Sequence, residues 1–445
     1  MHNPWRRPRR RARRILSVLG IVVLGALAVT AVLRMRHGTP AVPTRAAGVP
    51  TAVPAAHRTA LAAKSPAAAP TGPVPLDATL GLAPPQVAAR SYALVDARSG
   101  RVLADSQPNL EIAPASLAKL MTFDLTLKAL AAGQIHLGDA VPLGPGVRTL
   151  STTPGLSNMY LDLPPGATVP LHTLMLGMMV ASGNDAALAV AEYVGGTDAH
   201  FVAMMNAEAA KLGMAHTHFA NPEGLAASGQ VTTALDMATL ARHIMLTYPT
   251  VYRQFTDVAT FRWQHITFRN YNRLIGVDAA VTGMKSGYWG GVGYHLVTTA
   301  TQGHTELVGV VMGTSGLQVS AQVSQALLNW GFAQFQDVQI SWQRPLPPHG
   351  TRVWGARAPA VALRVTAQPW VVVPRTARPA APVTSAHLPA YLVAPVHPGQ
   401  TIGSVQATLA GHVIASAPVV AASPDPAGGL LTRAWGGFRL WLKHL

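Results

Sequence analysis

The sequence predicts a mixed α/β (α+β) fold in which an antiparallel sheet is packed against a helical cluster and a small all-β domain follows. Three observations carry this. An early hairpin pattern and a late one bracket two strongly apolar helical stretches. After about Ile340 the chain changes to short alternating runs rich in Val and Pro. Helices gathered between hairpins indicate antiparallel pairing, not the regular strand–helix alternation of a parallel sheet.

The elements follow in chain order. Residues 1–14, "MHNPWRRPRRRARR", hold seven arginines and no acid. They run straight into Ile15–Leu33, 19 residues without a charge, which is long enough to cross a bilayer as a helix. The arginine block is expected to stay cytoplasmic, which puts everything after the run on the periplasmic (extracytoplasmic) side of the inner (cytoplasmic) membrane. The apolar run exceeds most signal-peptide cores and Arg34 and Arg36 follow it, so it reads as an uncleaved signal-anchor, with a cleaved signal peptide as the alternative. Residues 34–87 read as a linker. From Gly38 to Pro75, 20 of 38 residues are Ala or Pro, too little apolar bulk to fold.

Order is expected from residue 88. "RSYALVDARSGRVLADS" alternates and turns at Ser99-Gly100, a hairpin. Pro114 opens a helix through "SLAKLMTFDLTLKAL" that Gly133 ends. "LHTLMLGMMVA" is a second helix, broken at Ser182-Gly183-Asn184 and resumed as "DAALAVAEYVGG". "GYHLVTTA" and "TELVGVVMG" flank "TQGH", two strands on a tight turn. This domain is assigned to 88–340 and the β-rich one to 341–425, with "VALRV", "WVVVP", "AYLVAPV" and "IGSVQATL". In the tail, 426–445, Leu431, Trp435, Phe438, Trp441 or Leu442, and Leu445 recur at helical spacing, with the cations mostly off that stripe and no acid. The pattern suits a helix lying on membrane lipids; a helix packed on its own domain is the alternative.

Composition narrows the function. Net charge is +16, but nine arginines lie before residue 38, and no basic, aromatic-interleaved motif for nucleic acid occurs in the remainder. Cysteine is absent, so folding outside the cell needs no oxidation.

Only six of the 34 basic residues are lysine, and one of them, Lys119, stands three positions after Ser116 in "PASLAKLMT". On a helix that spacing shares a face. A serine hydroxyl is a weak nucleophile until a base takes its proton. Arg does not deprotonate in proteins, whereas Lys does when burial or a neighbouring cation lowers its pKa. Ser182-Gly183-Asn184 adds a second hydroxyl and an amide at a helix break, and "GMKSGYWGG" adds Lys285 and Ser286, with Gly287 letting another backbone come close. Taken singly, each has an ordinary reading: a surface pair, a helix cap, a turn with one exposed Lys.

Together and in this order, Ser116-x-x-Lys119, Ser182-Gly183-Asn184 and Lys285-Ser286-Gly287 resemble the three motifs of the penicillin-recognising serine enzymes. The flanks "ASGNDAALAVAEYVGG", "NPEGLAASGQVTTALDMA" and "VTGMKSGYWGGVGYHLVTTA" are similar to the low-molecular-mass D-alanyl-D-alanine carboxypeptidases, from about Ala88 to the C-terminus. The resemblance implies a penicillin-binding/β-lactamase-like transpeptidase fold and a peptidoglycan pentapeptide ending in D-Ala-D-Ala as substrate, with β-lactams as covalent inhibitors. It implies that Ser116 attacks the penultimate carbonyl, Lys119 is the base, and Ser182 relays a proton to the leaving D-Ala. Asn184 would hold the peptide, and Lys285 and Ser286 the terminal carboxylate, with the amides of Ser116 and Tyr288 stabilising the oxyanion. No metal or cofactor is expected.

Three departures stand out. Ser286 replaces the usual Thr, Glu223 stands where His is common, and no Arg lies between Arg273 and Arg344, where relatives carry one for the substrate carboxylate. Three rivals are weighed. A β-lactamase would need a glutamate followed by Leu-Asn, a context that Glu192, Glu208 and Glu223 lack. A D,D-endopeptidase would share all three motifs. A wall-binding scaffold would have no use for intact Ser116 and Lys119.

Overall fold

The computed structural model describes residues 74–75, 82–342, 346–366, 370–375, 382–409 and 411–443. All of them fall within one compact unit, 65–445. The basic segment 1–14, the apolar run 15–33, and the linker 34–87 up to residue 81, apart from Val74–Pro75, lie outside the described residues.

The early hairpin is β2 (Ser91–Asp96) and β3 (Arg101–Ser106), joined through Gly100 at φ 73°. A short strand precedes it: β1 (Val74–Pro75) pairs parallel with Arg101–Val102. The stretch read as linker thus ends by closing the sheet. A proline has no N–H to give a ladder, so an edge is where it is tolerated.

Helices follow as expected. A 3₁₀ turn at Ala115–Ala118 leads into α1 (Lys119–Ala131). Then come α2 (Leu171–Val180), α3 (Asn184–Gly195), α4 (Asp198–Lys211) and α5 (Ala234–Thr247). The chain returns to the sheet as β4 (Val281–Trp289), β5 (Gly293–Gln302) and β6 (Thr305–Thr314), and α6 (Leu317–Gln334) covers it. Strand order is β1-β3-β2-β6-β5-β4, antiparallel except at β1.

The near-continuous apolar run "LVGVVM" of β6 has a simple cause. Side chains of a strand alternate between faces, and here both faces are covered. Val308, Val310 and Met312 join a core with α1, α2, α3 and α5, while Leu307 and Val311 join Leu327 and Leu328 of α6. A sheet buried on both sides reads as an unbroken hydrophobic run.

β7 (Phe335–Gln339) leaves α6 directly and pairs with Trp370–Pro374, carrying the chain into the β-rich part. There Val371, Val373, Val405, Ala407 and Val419 form a separate core. A last helix, α7 (Leu430–Lys443), rests on the strand Thr351–Trp354.

Candidate active site

All the residues singled out from sequence converge at one place, where the 3₁₀ turn before α1, the turn between α2 and α3, and strand β4 meet. Lys119 is fully buried at the start of α1. Its Nζ lies 3.0 Å from Ser116 Oγ, 2.8 Å from Asn184 Oδ1 and 2.5 Å from the main-chain oxygen of Glu223. Three neighbours match the valence of a tetrahedral nitrogen. An ammonium would donate to all three. A neutral amine donates to Asn184 and Glu223 and turns its lone pair on the Ser116 hydroxyl, the arrangement a base requires.

Burial depresses Lys119 to about 7, against the opposing pull of Glu223 and then Asp185. From sequence, burial and Lys285 are both expected to share this task. In the structure burial does it, and the like charge falls on Lys285 instead, which burial and then Lys119 hold well below the ordinary lysine value. Of two close lysines, the one more readily deprotonated carries the repulsion.

Lys285 donates to Ser182 Oγ at 2.9 Å and to its neighbour's carbonyl, Ser286 O, at 2.9 Å. Ser182 sits at φ 56°, a left-handed conformation that costs a residue with a Cβ about 1–3 kcal/mol and persists only where surroundings impose it. Asp185 imposes it. Its buried carboxylate accepts from Ser151 Oγ at 3.1 Å and from the N–H groups of Met159 at 2.8 Å, Leu161 at 3.1 Å and Ala186 at 2.8 Å. The N–H of Asn184 is held by Ser157 O at 2.8 Å. The helix break read from sequence is therefore a pinned turn that sets Ser182 against Lys285 and Asn184 against Lys119.

Gly287 and Gly224 press on the Ser116 turn from two sides. A Cβ on Gly287 would come within 3.2 Å of Pro114 O, and one on Gly224, at φ 84°, within 1.9 Å of Ala115 O. A cavity of about 470 Å³ opens above, lined by Ser116, Ser182, Asn184, Ser286, Gly287 and Tyr288. Its rim is apolar and aromatic, with Leu156, Leu225, Tyr271, Trp289, Tyr294 and Leu317. Neither Lys nor Arg is among the lining residues, so Lys285 acts from behind Ser182, and the wall offers a carboxylate the Ser286 hydroxyl. Tyr288, expected to supply an oxyanion amide, stands at the mouth with its side chain exposed.

Two contributors escape sequence reading: the Glu223 carbonyl and the Asp185 anchor. Asp185 directly follows Ser182-Gly183-Asn184, and Glu223 lies in "NPEGL", so their positions were visible, but their contacts span the fold.

Comparison with known proteins gives the same picture. Residues 79–316 match a family described as D-alanyl-D-alanine carboxypeptidase. The chain is 34% identical over 356 residues to the D-alanyl-D-alanine carboxypeptidase DacC of Escherichia coli, a match covering 79% of this chain and 88% of the relative. Its structure superposes on penicillin binding protein 5 of Haemophilus influenzae with a TM-score of 0.70 at 32% identity, over 78% of this chain and all of that one. Penicillin-binding protein D2 of Listeria monocytogenes, solved in an ampicillin-bound form, matches 56% of the chain at 25% identity with a TM-score of 0.50.

Proposed function

The chain belongs to the D-alanyl-D-alanine carboxypeptidase family, and we infer how its own residues perform that activity and where. It is a serine-type hydrolase of peptidoglycan that removes a terminal D-Ala and is acylated by β-lactams. In our reading Ser116 attacks the penultimate D-Ala carbonyl while its proton passes to neutral Lys119. The observation that carries this is the three-point seat of the Lys119 amine. Backbone N–H groups at the first turn before α1 have no partner within the helix, so the Ser116 amide is suited to the oxyanion, with the Tyr288 amide opposite. The C–N bond then breaks as Ser182 gives its proton to the leaving amine, and the proton that Lys119 took from Ser116 passes back to the Ser182 oxygen, which Lys285 holds in place, so that Lys119 is neutral again when water attacks. Asn184 spends its Oδ1 on Lys119, leaving its NH₂ to hold the peptide. Water next releases the shortened stem, returning a proton through Lys119. No metal or cofactor enters this scheme.

The test is release of D-Ala from pentapeptide together with covalent penicillin labelling. Both are expected in the wild type. Lys119→Met, which keeps the packing volume but removes the base, should lower both at least a thousandfold with the fold intact. Retained labelling in that variant would overturn the assignment. Labelling without D-Ala release, but with cleavage of cross-linked dimers, would favour the endopeptidase reading.

We further propose that the protein is held at the inner membrane, catalytic domain outside, by Ile15–Leu33 and by contact of α7 with lipid. The uncharged run behind an arginine block and the exposed Leu430, Leu431, Trp435, Phe438 and Trp441 of α7 support it.

A further inference from the structure

A second cluster of chemistry-bearing side chains lies apart from the cavity, where α1, α4 and α5 pack together. Asp124 stands five residues beyond Lys119, about 140° round the same helix. It meets Glu208 of α4 and His243 of α5, and one ligand atom from each lies within 4.8 Å of the other two. We propose that Asp124, Glu208 and His243 form a binding site for a divalent zinc-class cation that ties these three helices together.

Three features point to a cation. The Asp124 side chain is fully buried, yet neither of its oxygens accepts a hydrogen bond. A buried carboxylate left so is strongly destabilising unless it is protonated or faces a positive charge. His243 is the second feature. Its Nε2 lies 3.4 Å from Asp124 Oδ1 while Nδ1 is 3.3 Å from Thr247 Oγ1. With Nδ1–H donating to that hydroxyl, Nε2 keeps its lone pair facing the carboxylate, the outer bond a ligating histidine commonly makes.

The third is the charge balance. Lys128 and Lys211 both bond Glu208, and both reach solvent, with side chains 50% and 64% exposed. Two ammonium groups thus occupy the role of one dication. A bound cation would displace them toward water and cancel the charge of the two carboxylates beside the imidazole. Two oxygens and one imidazole nitrogen, with His243 partly open to solvent, leave a coordination position for water, a donor set zinc accepts. Tyr248, edge-on to His243, closes the group.

The experiment uses the full-length chain, stripped with chelator and titrated with zinc sulfate, then with cobalt(II) for its visible absorption. One zinc per chain, a raised Tm and a cobalt spectrum of a low-symmetry site are expected. His243→Gln and Asp124→Asn should each weaken zinc binding at least tenfold while leaving penicillin labelling unchanged. Lys128→Gln, which removes a competitor, should tighten it. Because His243 lies near the surface, its variant is expected to fold even if the Asp124 variant does not. No stoichiometric zinc on the folded chain, or undiminished binding by His243→Gln, would overturn the proposal. Neither outcome bears on D-Ala release.

Discussion

At the scale of single residues the site turns on one proton. Lys119 acts as a base only when neutral, and burial brings its titration to about 7, so acylation should rise as pH increases through that value and level off above it. Glu223 works against this. Its side chain is buried, one carboxylate oxygen is without a hydrogen-bond partner, and its charge favours the ammonium form of Lys119. The carboxyl itself is raised by burial, lowered by Lys119 and raised by Asp198, so it and Lys119 titrate as a pair. Around them Asp185 adds a second negative charge acting on Lys119, while the repulsion between the two lysines falls on Lys285. Glu223→Gln removes the stronger counter-charge but keeps shape and the main-chain carbonyl. Its acid limb should move to lower pH, making acylation severalfold faster at pH 6 and unchanged at pH 9. A pH profile of the penicillin acylation rate checks this; an unmoved limb would mean that Glu223 does not set the state of Lys119.

At the scale of elements, what sequence disclosed and what it withheld divide by range. The three motifs were legible because each is local: a helical i, i+3 pair, a break between apolar helices, a Gly-rich approach to a strand. The hairpin turns at Ser99-Gly100 and at Gly303 were legible for the same reason. What holds these pieces against one another was not, since the Glu223 carbonyl reaches Lys119 across 104 residues and Asp185 reaches Met159 across 26. The loop carrying Glu223 is the clearest case. Gly224 lies against the carbonyl of Ala115, which is itself at φ 48°, so the loop and the nucleophile turn are fitted backbone to backbone. Gly224→Ala would force a Cβ into backbone that cannot rotate away, at a φ that disfavours it. A loss of about 2–4 kcal/mol is expected. Displacing Ser116 by even 1 Å should slow acylation by about a hundredfold. Thermal unfolding and acylation kinetics on one sample test both, and normal acylation in a destabilised protein would show that the loop supports the fold without aiming Ser116.

At the scale of the whole molecule the mixed fold and the later β-rich part were read correctly because hydrophobic period reports on burial. The parallel edge strand at Val74–Pro75 was hidden by its Ala/Pro-rich surroundings. The tail shows what period leaves undecided, since one stripe suits either a lipid surface or a protein core. In the structure α7 is seated through Gly436, the buried residue on its inner side, where a Cβ would come within 2.8 Å of Gly355 N. At 100° per residue Leu430, Leu431, Trp435, Phe438 and Trp441 fall on the opposite half. They are 46–88% exposed, and Trp435, Phe438 and Trp441 stack in a row with Arg439 over Trp435. So broad an apolar face turned from the protein calls for a partner, and cations without acids favour an anionic lipid surface over another protein. Each such side chain contributes up to about 1.5–3 kcal/mol if it leaves water completely. If, as proposed, Ile15–Leu33 spans the membrane, deleting residues 428–445 should therefore ease extraction of the full chain by salt or alkali without releasing it. Removing both segments should release it entirely. Fractionation of the full chain, each single deletion and the double deletion decides the matter. Full release on loss of the tail alone would show the N-terminal run to be cleaved, whereas no change in a chain already lacking that run would turn α7 from a lipid contact into a protein one.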